Sequence, residues 1–231
     1  MDLSKPKIMG ILNLTPDSFY DGGKNNKPDL ALTKTSKLLS EGADIIDIGA
    51  YSSRPGAVHI TEEEEYERMI PVIKAILKEF PDAILSIDTF RSGIAKAAIG
   101  EGAHIINDIS GGEMDPAMFE TIAELKVPYV LMHMRGTPQT MASKSDYKDI
   151  TTEVCHYFIS KIQQLKELGL IDLIIDPGFG FAKTPGQSYE LLAHLDLLKM
   201  LGHPVLAALS RKSMIYKILD TDAEHALNGT T

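Results

Sequence analysis

Short apolar runs recur along the chain, at Ile8–Leu14, Ile45–Ile48, Ala83–Ile87, His104–Ile106, Val127–Met132, Leu173–Ile175 and Val205–Leu209. They are too short for helices and lack the alternation of a half-buried strand, which predicts seven parallel strands buried on both faces. Helical spacing fills the gaps between them. Thr61 and Glu64 stand as a capping box ahead of Tyr66, Met69, Ile70, Ile73, Ile76, Leu77 and Phe80, and Pro81 ends the stripe. Asp115-Pro116 opens a second helix toward Leu125, and Ile150, Val154, Tyr157, Phe158, Leu165 and Leu168 mark a third that ends at Gly169. Gln187–Lys199, a short helix from Ser213 and a capping box at Thr221–Glu224 complete the series. Strand, loop and helix alternate without a break in composition, so the expectation is βα units in one domain over residues 1–231.

The polar residues then acquire meaning from where they fall. Asn13, Asp88, Asn107 with Asp108, His133, Asp176, and Ser210 with Lys212 each follow an apolar run. Ligands of parallel α/β folds bind at the carboxyl ends of the strands. Any one of these residues is as well explained as a helix N-cap; the recurrence argues for a pocket. Segments 15–28, 50–60 and 134–149 are long, polar and punctuated by Gly and Pro, which marks them as functional loops.

Composition narrows the classes. The 231 residues are 44% hydrophobic with a single Cys, so the chain is neither disordered nor a disulfide scaffold. With 23 Lys and Arg against 32 Asp and Glu, the net charge of −9 argues against a nucleic-acid binder and leaves room for a small anion held by local cations. No apolar run approaches the ~20 residues of a membrane span, and the N-terminus lacks the order of a secretory signal, so a cytoplasmic protein without membrane contact is expected. Lone Cys155 reads as structural, and neither it nor the seven scattered His suggests a zinc or redox site. No Walker loop, GxSxG elbow or GxGxxG fingerprint is present; Gly178–Lys183 starts like the last but runs on into Pro185, and reads as a tight strand-exit loop.

The remaining loop chemistry is of two kinds. Asn13 to Gly23 offers hard oxygen ligands of the sort Mg²⁺ takes beside waters and phosphates, and Ser53 with Arg54 suits phosphate oxygens. Asp88 and Asp176 can accept paired N–H donors from a flat heterocycle while Asn107 and Lys212 meet its ring nitrogens and carbonyl oxygen. The residues thus point to a diphosphate and a donor-rich heterocycle.

Six blocks carry a resemblance: MGILNLTPDSFYDGG (9–23), GADIIDIGAYSSRPGA (42–57), LSIDTFRSGIAKAAIGEGAHIINDISGG (85–112), YVLMHMRGTPQTM (129–141), LIIDPGFGFAKT (173–184) and PVLAALSRKSMI (204–215). In that order they resemble the dihydropteroate synthase family of folate biosynthesis. The resemblance implies a (β/α)8 TIM barrel that joins 6-hydroxymethyl-7,8-dihydropterin diphosphate to p-aminobenzoate with Mg²⁺ present, and a homodimer, as is usual in the family. It implies that Asn13 contacts Mg²⁺ and that Asp17, Phe19 and Asp21 lie in a loop closing over p-aminobenzoate and diphosphate. Ser53, where most members have Thr, and Arg54 fall in the second loop. Asp88, Asn107, Asp176 and Lys212 are implied to hold the pterin, with Met132 and Phe181 packed near it, and Ser213 to receive the p-aminobenzoate carboxylate. Asp88, Lys212 and Arg54 are the implied catalytic residues. His133 and Asp47 are expected to be structural, and Glu62–Glu65 a solvated first helical turn.

The seventh run is the last, whereas the family continues beyond a Gly-Thr-Thr step with an eighth βα unit carrying an Arg-x-His motif. The barrel expected for residues 1–231 therefore lacks that unit, and an inactive fragment is a competing expectation. A methyltetrahydrofolate:corrinoid methyltransferase-like barrel is another. It shares the pterin pocket but has no diphosphate leaving group, and TPDSF, SRPG and SRK count against it.

Overall fold

A computed structural model describes residues 2–14, 27–52 and 59–230. The chain divides into two compact units, Met1–Asp108 with Gly112–Tyr129, and Ile109–Gly111 with Val130–Thr231.

In the first unit, strands β1 (Met9–Asn13), β2 (Ile45–Gly49), β3 (Ile84–Asp88) and β4 (Ile105–Asp108) pair in parallel in that order. Helices α1 (Lys27–Ser40), α2 (Glu62–Glu79), α3 (Ser92–Gly100) and α4 (Met118–Leu125) follow them in turn. β2 and β4 are buried on both faces, as continuous apolar runs demand. β1 departs from that expectation: its burial alternates and Ile11 is 60% exposed. Gly10 is what lets β1 lie against α1, since a Cβ there would stand 3.2 Å from Leu38.

The α2 cap forms by half. The Glu64 N–H donates to Thr61 Oγ1 at 3.1 Å, but the Glu64 carboxylate turns to Arg68 one helical turn on, so the reciprocal bond of a capping box is replaced by an ion pair. The solvated turn expected at Glu62–Glu65 needs a second correction, because Glu65 is fully buried. It pairs with Arg91 and accepts the Thr89 hydroxyl at 2.6 Å. A buried charge has to find such partners or neutralise. Asp115 caps two segments, accepting from Ser92 N–H at the start of α3 and from Ala117 N–H just ahead of α4.

The second unit holds most of β5 (Tyr129–Met132), then α5 (Ile150–Glu167), β6 (Leu173–Asp176), α6 (Pro185–Ala193), α7 (Leu195–Lys199) and α8 (Ser213–Tyr216). The His133 N–H donates to Asp176 O, tying the ends of β5 and β6. α6 begins earlier than the spacing predicts, at Pro185, because Thr184 and Gln187 make a complete capping box, and His194 separates it from α7. The seventh predicted strand is reduced to one parallel bridge between Val205 and Ile175; the rest of that run makes no ladder. Nor does Thr221–Glu224 open an α-helix. Asp222 accepts from the Glu224 and His225 N–H groups in a turn that leads to a 3-10 segment at Leu227–Thr230.

The 134–149 loop is folded on its own side chains. Arg135 donates to Asp146 O, pairs with Glu153 at 2.5 Å and lies 3.8 Å from the Tyr147 ring centroid. No helix among the described residues is long and apolar enough to cross a membrane.

Candidate active site

Parallel register sets the site residues of the first unit in one row. Asn13 pairs with Gly49, Gly49 with Asp88, and Asp88 with Asn107, so four consecutive strands end at the same level. Gly49 leaves the gap in that row: a Cβ there would stand 3.1 Å from Asp88 Oδ2. Asp47 lies two residues back along β2, hence on the same face, and its Oδ2 accepts from Asn107 Nδ2 at 3.1 Å. That bond turns the Asn107 amide so that its oxygen is left for a ligand's donor.

The Asp88 carboxyl is pushed well above the ordinary carboxylate range, first by burial and then by Asp47, Glu65 and Asp108. Charge on Asp88 is thus costly in the empty site, which is where a carboxylate gains most from a cation or from paired donors. Asp108, also at a strand end, is committed to the fold, since its Oδ2 accepts from the Tyr129 hydroxyl at 2.7 Å and the Gly112 N–H at 2.8 Å.

In the second unit β6 ends at Asp176, buried, with Oδ1 accepting the Gly178 N–H at 2.7 Å. Burial raises the Asp176 carboxyl against the pull of Lys212, and burial lowers the Lys212 ammonium against the pull of Asp176. Lys212 Nζ donates to Phe179 O and stands 4.6 Å from the Phe181 ring centroid, so acid, amine and aromatic ring form one group. Met132 is buried beneath the loop and Phe181 is half-buried. Gly178 adopts φ +67°, and a Cβ there would run into the His133 carbonyl, so only glycine fits this turn.

Each of these two groups, taken by itself, has donors and acceptors suited to a flat, donor-rich ring, and the carboxyls of the first unit suit positive charge on it. The comparisons with known proteins decide which ring. Residues 9–230 match the pterin binding enzyme family model. The chain is 46% identical over 215 residues to a dihydropteroate synthase of Synechocystis, covering 92% of this chain and 74% of that one. It superposes with a TM-score of 0.91 at 40% identity on the Xanthomonas albilineans dihydropteroate synthase with 4-aminobenzoic acid, covering 98% of this chain and 81% of the other. Against the same enzyme in complex with 7,8-dihydropteroate the TM-score is 0.89 at 38% identity, over 99% and 82% of the two chains.

The chain belongs to the dihydropteroate synthase family. Its fold class is accordingly the (β/α)8 barrel, represented over these residues by six parallel strands and the Val205 bridge, and its activity is that of a transferase.

Measured against what the family resemblance implied, Asp88 and Asn107 lie side by side, as do Asp176, Lys212 and Phe181. Asn13 is exposed at the end of β1. Ser213 opens α8, but that helix is a single turn, so only its few free N–H groups, and little macrodipole, are offered to a carboxylate. Asp17, Phe19, Asp21, Ser53 and Arg54 lie outside the described residues.

His133, expected to be structural, packs against Lys183. It is buried, and its pKa is lowered to about 2, first by burial and then by the Lys183 and Arg135 charges, so the ring is neutral. Asp47, expected to be structural, fixes the Asn107 amide through its bond to Nδ2. Lys183 lies inside the Gly178–Lys183 loop motif and is buried. Its one sequence signal is a lysine between an apolar Gly-Phe repeat and a helix cap.

Proposed function

We propose that catalysis rests on Asp88, Asn107, Asp176 and Lys212 as pterin ligands, with Asp88 and Lys212 also acting on the transition state. The reaction of the family joins 6-hydroxymethyl-7,8-dihydropterin diphosphate and p-aminobenzoate into 7,8-dihydropteroate, releasing diphosphate. The observation that carries the residue assignment is the Asn13–Gly49–Asp88–Asn107 row with its raised Asp88 carboxyl.

The chemistry follows from that charge. Cleavage of the methylene C–O bond gives the electron pair to diphosphate and leaves a cation on the pterin methylene. The aniline nitrogen, unprotonated at neutral pH, then attacks and sheds its proton, so no strong general base is required. A cation developing on the ring offsets the cost of ionised Asp88 and its acidic neighbours, so the interaction strengthens as the bond breaks. Asp176 accepts ring N–H donors while Lys212 donates to a ring nitrogen or carbonyl oxygen. Met132 and Phe181 pack on the ring and exclude water, and Ser213 takes the p-aminobenzoate carboxylate.

Mg²⁺ fits Asn13. Among the described residues no group of three or more His, Cys, Asp or Glu makes a metal cage, and a single amide oxygen is the sparse protein contribution expected where waters and a diphosphate complete the shell. When bound there, the ion would neutralise charge on the leaving group. Arg54 would share that task, with Ser53, Asp17, Phe19 and Asp21 closing the loops over both substrates.

The chain is further proposed to act as one pterin-binding domain, supported by a family match that runs unbroken over residues 9–230, and as a cytoplasmic homodimer. Leu197, Met200, Ile218 and Leu219 of the second unit are exposed apolar side chains of the kind a dimer covers.

Calorimetry with 6-hydroxymethylpterin tests the assignment. Lys212→Ala and Asp176→Asn each remove one charged pterin ligand and should cost about 2–5 kcal/mol of pterin affinity. Folded variants with unchanged affinity would contradict it.

A further inference from the structure

Lys183 lies in the loop between β6 and α6 and is buried, 8% exposed. Its Nζ has four acceptors: His133 Nδ1 at 2.8 Å, Phe181 O at 3.0 Å, Gly178 O at 3.1 Å and His133 O at 3.3 Å. Three carbonyls and an imidazole nitrogen converge on one amine, an arrangement that suits a compact cation. Two of the carbonyls belong to the 178–182 loop and one to the end of β5, so the amine ties the loop to the strand. Gly178, Gly180 and Ala182 all take positive φ, at +67°, +79° and +50°, which turns successive peptide groups about and lets the Gly178 and Phe181 carbonyls face inward.

The same loop holds the pterin ligands. The Gly178 N–H donates to Asp176 Oδ1, Phe179 O accepts from Lys212, and Lys212 rests over the Phe181 ring. The loop therefore touches the amine of Lys183 on one side and both Asp176 and Lys212 on the other.

We propose that Lys183 is a positioning residue for the pterin site, its ammonium acting as an internal tie that keeps the 178–182 loop, and through it Asp176 and Lys212, in binding geometry. The inference rests on the assignment of Asp176 and Lys212 as pterin ligands. The charged and titratable groups that act on Lys183 are His133 at the end of β5, Arg135 just beyond it, Asp176 on β6 and Lys212 ahead of α8. Burial, then Lys212 and Arg135, lower the Lys183 pKa to about 7 against the pull of Asp176, and His133 is neutral. Discharge of the ammonium near neutral pH leaves an amine with two donors for three carbonyls, and the tie weakens.

Stability has the opposite sign. A lysine whose folded pKa falls below its unfolded value makes the folded state the weaker proton binder between the two, so this group's contribution to stability rises with pH from about 7 toward 10.5. Ligand affinity and fold stability should therefore part company above pH 7, which a purely structural lysine would not cause.

The test is calorimetry with 6-hydroxymethylpterin from pH 6 to 9 on the intact chain and on Lys183→Met, with circular dichroism to confirm folding. Lys183→Met is expected to bind at least ten-fold more weakly at pH 6.5 and to lose part of the alkaline decline that the unaltered chain shows. A folded Lys183→Met with unaltered affinity and an unaltered pH profile would overturn the proposal. If Lys183→Met does not fold, Lys183→Ala prepared in methylammonium chloride replaces it. Pterin affinity that rises with methylammonium supports the tie, and affinity independent of it overturns the tie. Failure of the unaltered chain to bind the pterin would instead refute the pterin assignment, and this inference with it.

Discussion

Asp88 sits where its charge is a burden until something positive or donor-rich arrives. Its carboxyl is raised by burial first and by Asp47, Glu65 and Asp108 after that. A carboxyl raised in the folded state makes that state the stronger proton binder, so this group's contribution is present at acid pH and is lost as pH climbs from 3.8 through the raised value. Above the raised value the ligand-free chain carries the whole loss. Asp88→Asn should therefore raise Tm, by about 2–4 °C for each kcal/mol relieved, while abolishing pterin binding; thermal unfolding and calorimetry on the same sample check both. A lowered Tm with retained binding would count against Asp88 as a strained binding group. Asp88, Asn107, Asp176 and Lys212 were legible in the sequence because each ends an apolar run. Asp47 and Lys183 were not, because their partners stand 60 and 50 residues away, and a residue inside a run or a loop motif gives no sign of such a contact.

At the scale of elements, Arg91 joins α2 to the exit of β3. Besides its pair with Glu65 it donates to Ile60 O and Thr61 O and lies 4.9 Å from the Phe90 ring centroid. These contacts anchor the residues that lead into α2. Removing one partner of a buried pair leaves an uncompensated charge, so Arg91→Met should destabilise by about 3–5 kcal/mol. The double variant Arg91→Met/Glu65→Leu should recover a large part of that loss in denaturant unfolding. A double variant as unstable as the sum of its single changes would show that the pair does not act as a unit. Six of the seven predicted strands formed close to their expected bounds because buried parallel strands leave unbroken apolar runs. The seventh run, Val205–Leu209, is as apolar as the others, yet it bridges only Ile175 and stays half-exposed. Helices α1 and α3 had no clear signature. α3 is built mainly of Gly, Ala and Ile, and α1 carries only the scattered apolar residues Leu30, Ala31, Leu32, Leu38 and Leu39.

For the whole molecule, a chain of net charge −9 handles an anionic substrate. Affinity must come from local cations working against the general field. Under the proposed assignment Lys212, Arg54 and Mg²⁺ supply them. The family match gives the chemistry, with diphosphate leaving a pterin methylene and an arylamine taking its place. The direct measurement is product formation by the purified chain given 6-hydroxymethyl-7,8-dihydropterin diphosphate, p-aminobenzoate and Mg²⁺, read as diphosphate release and as 7,8-dihydropteroate by mass. Stoichiometric appearance of both products, lost in Lys212→Ala, is the predicted result; a folded chain that binds the pterin but forms neither product would contradict the account.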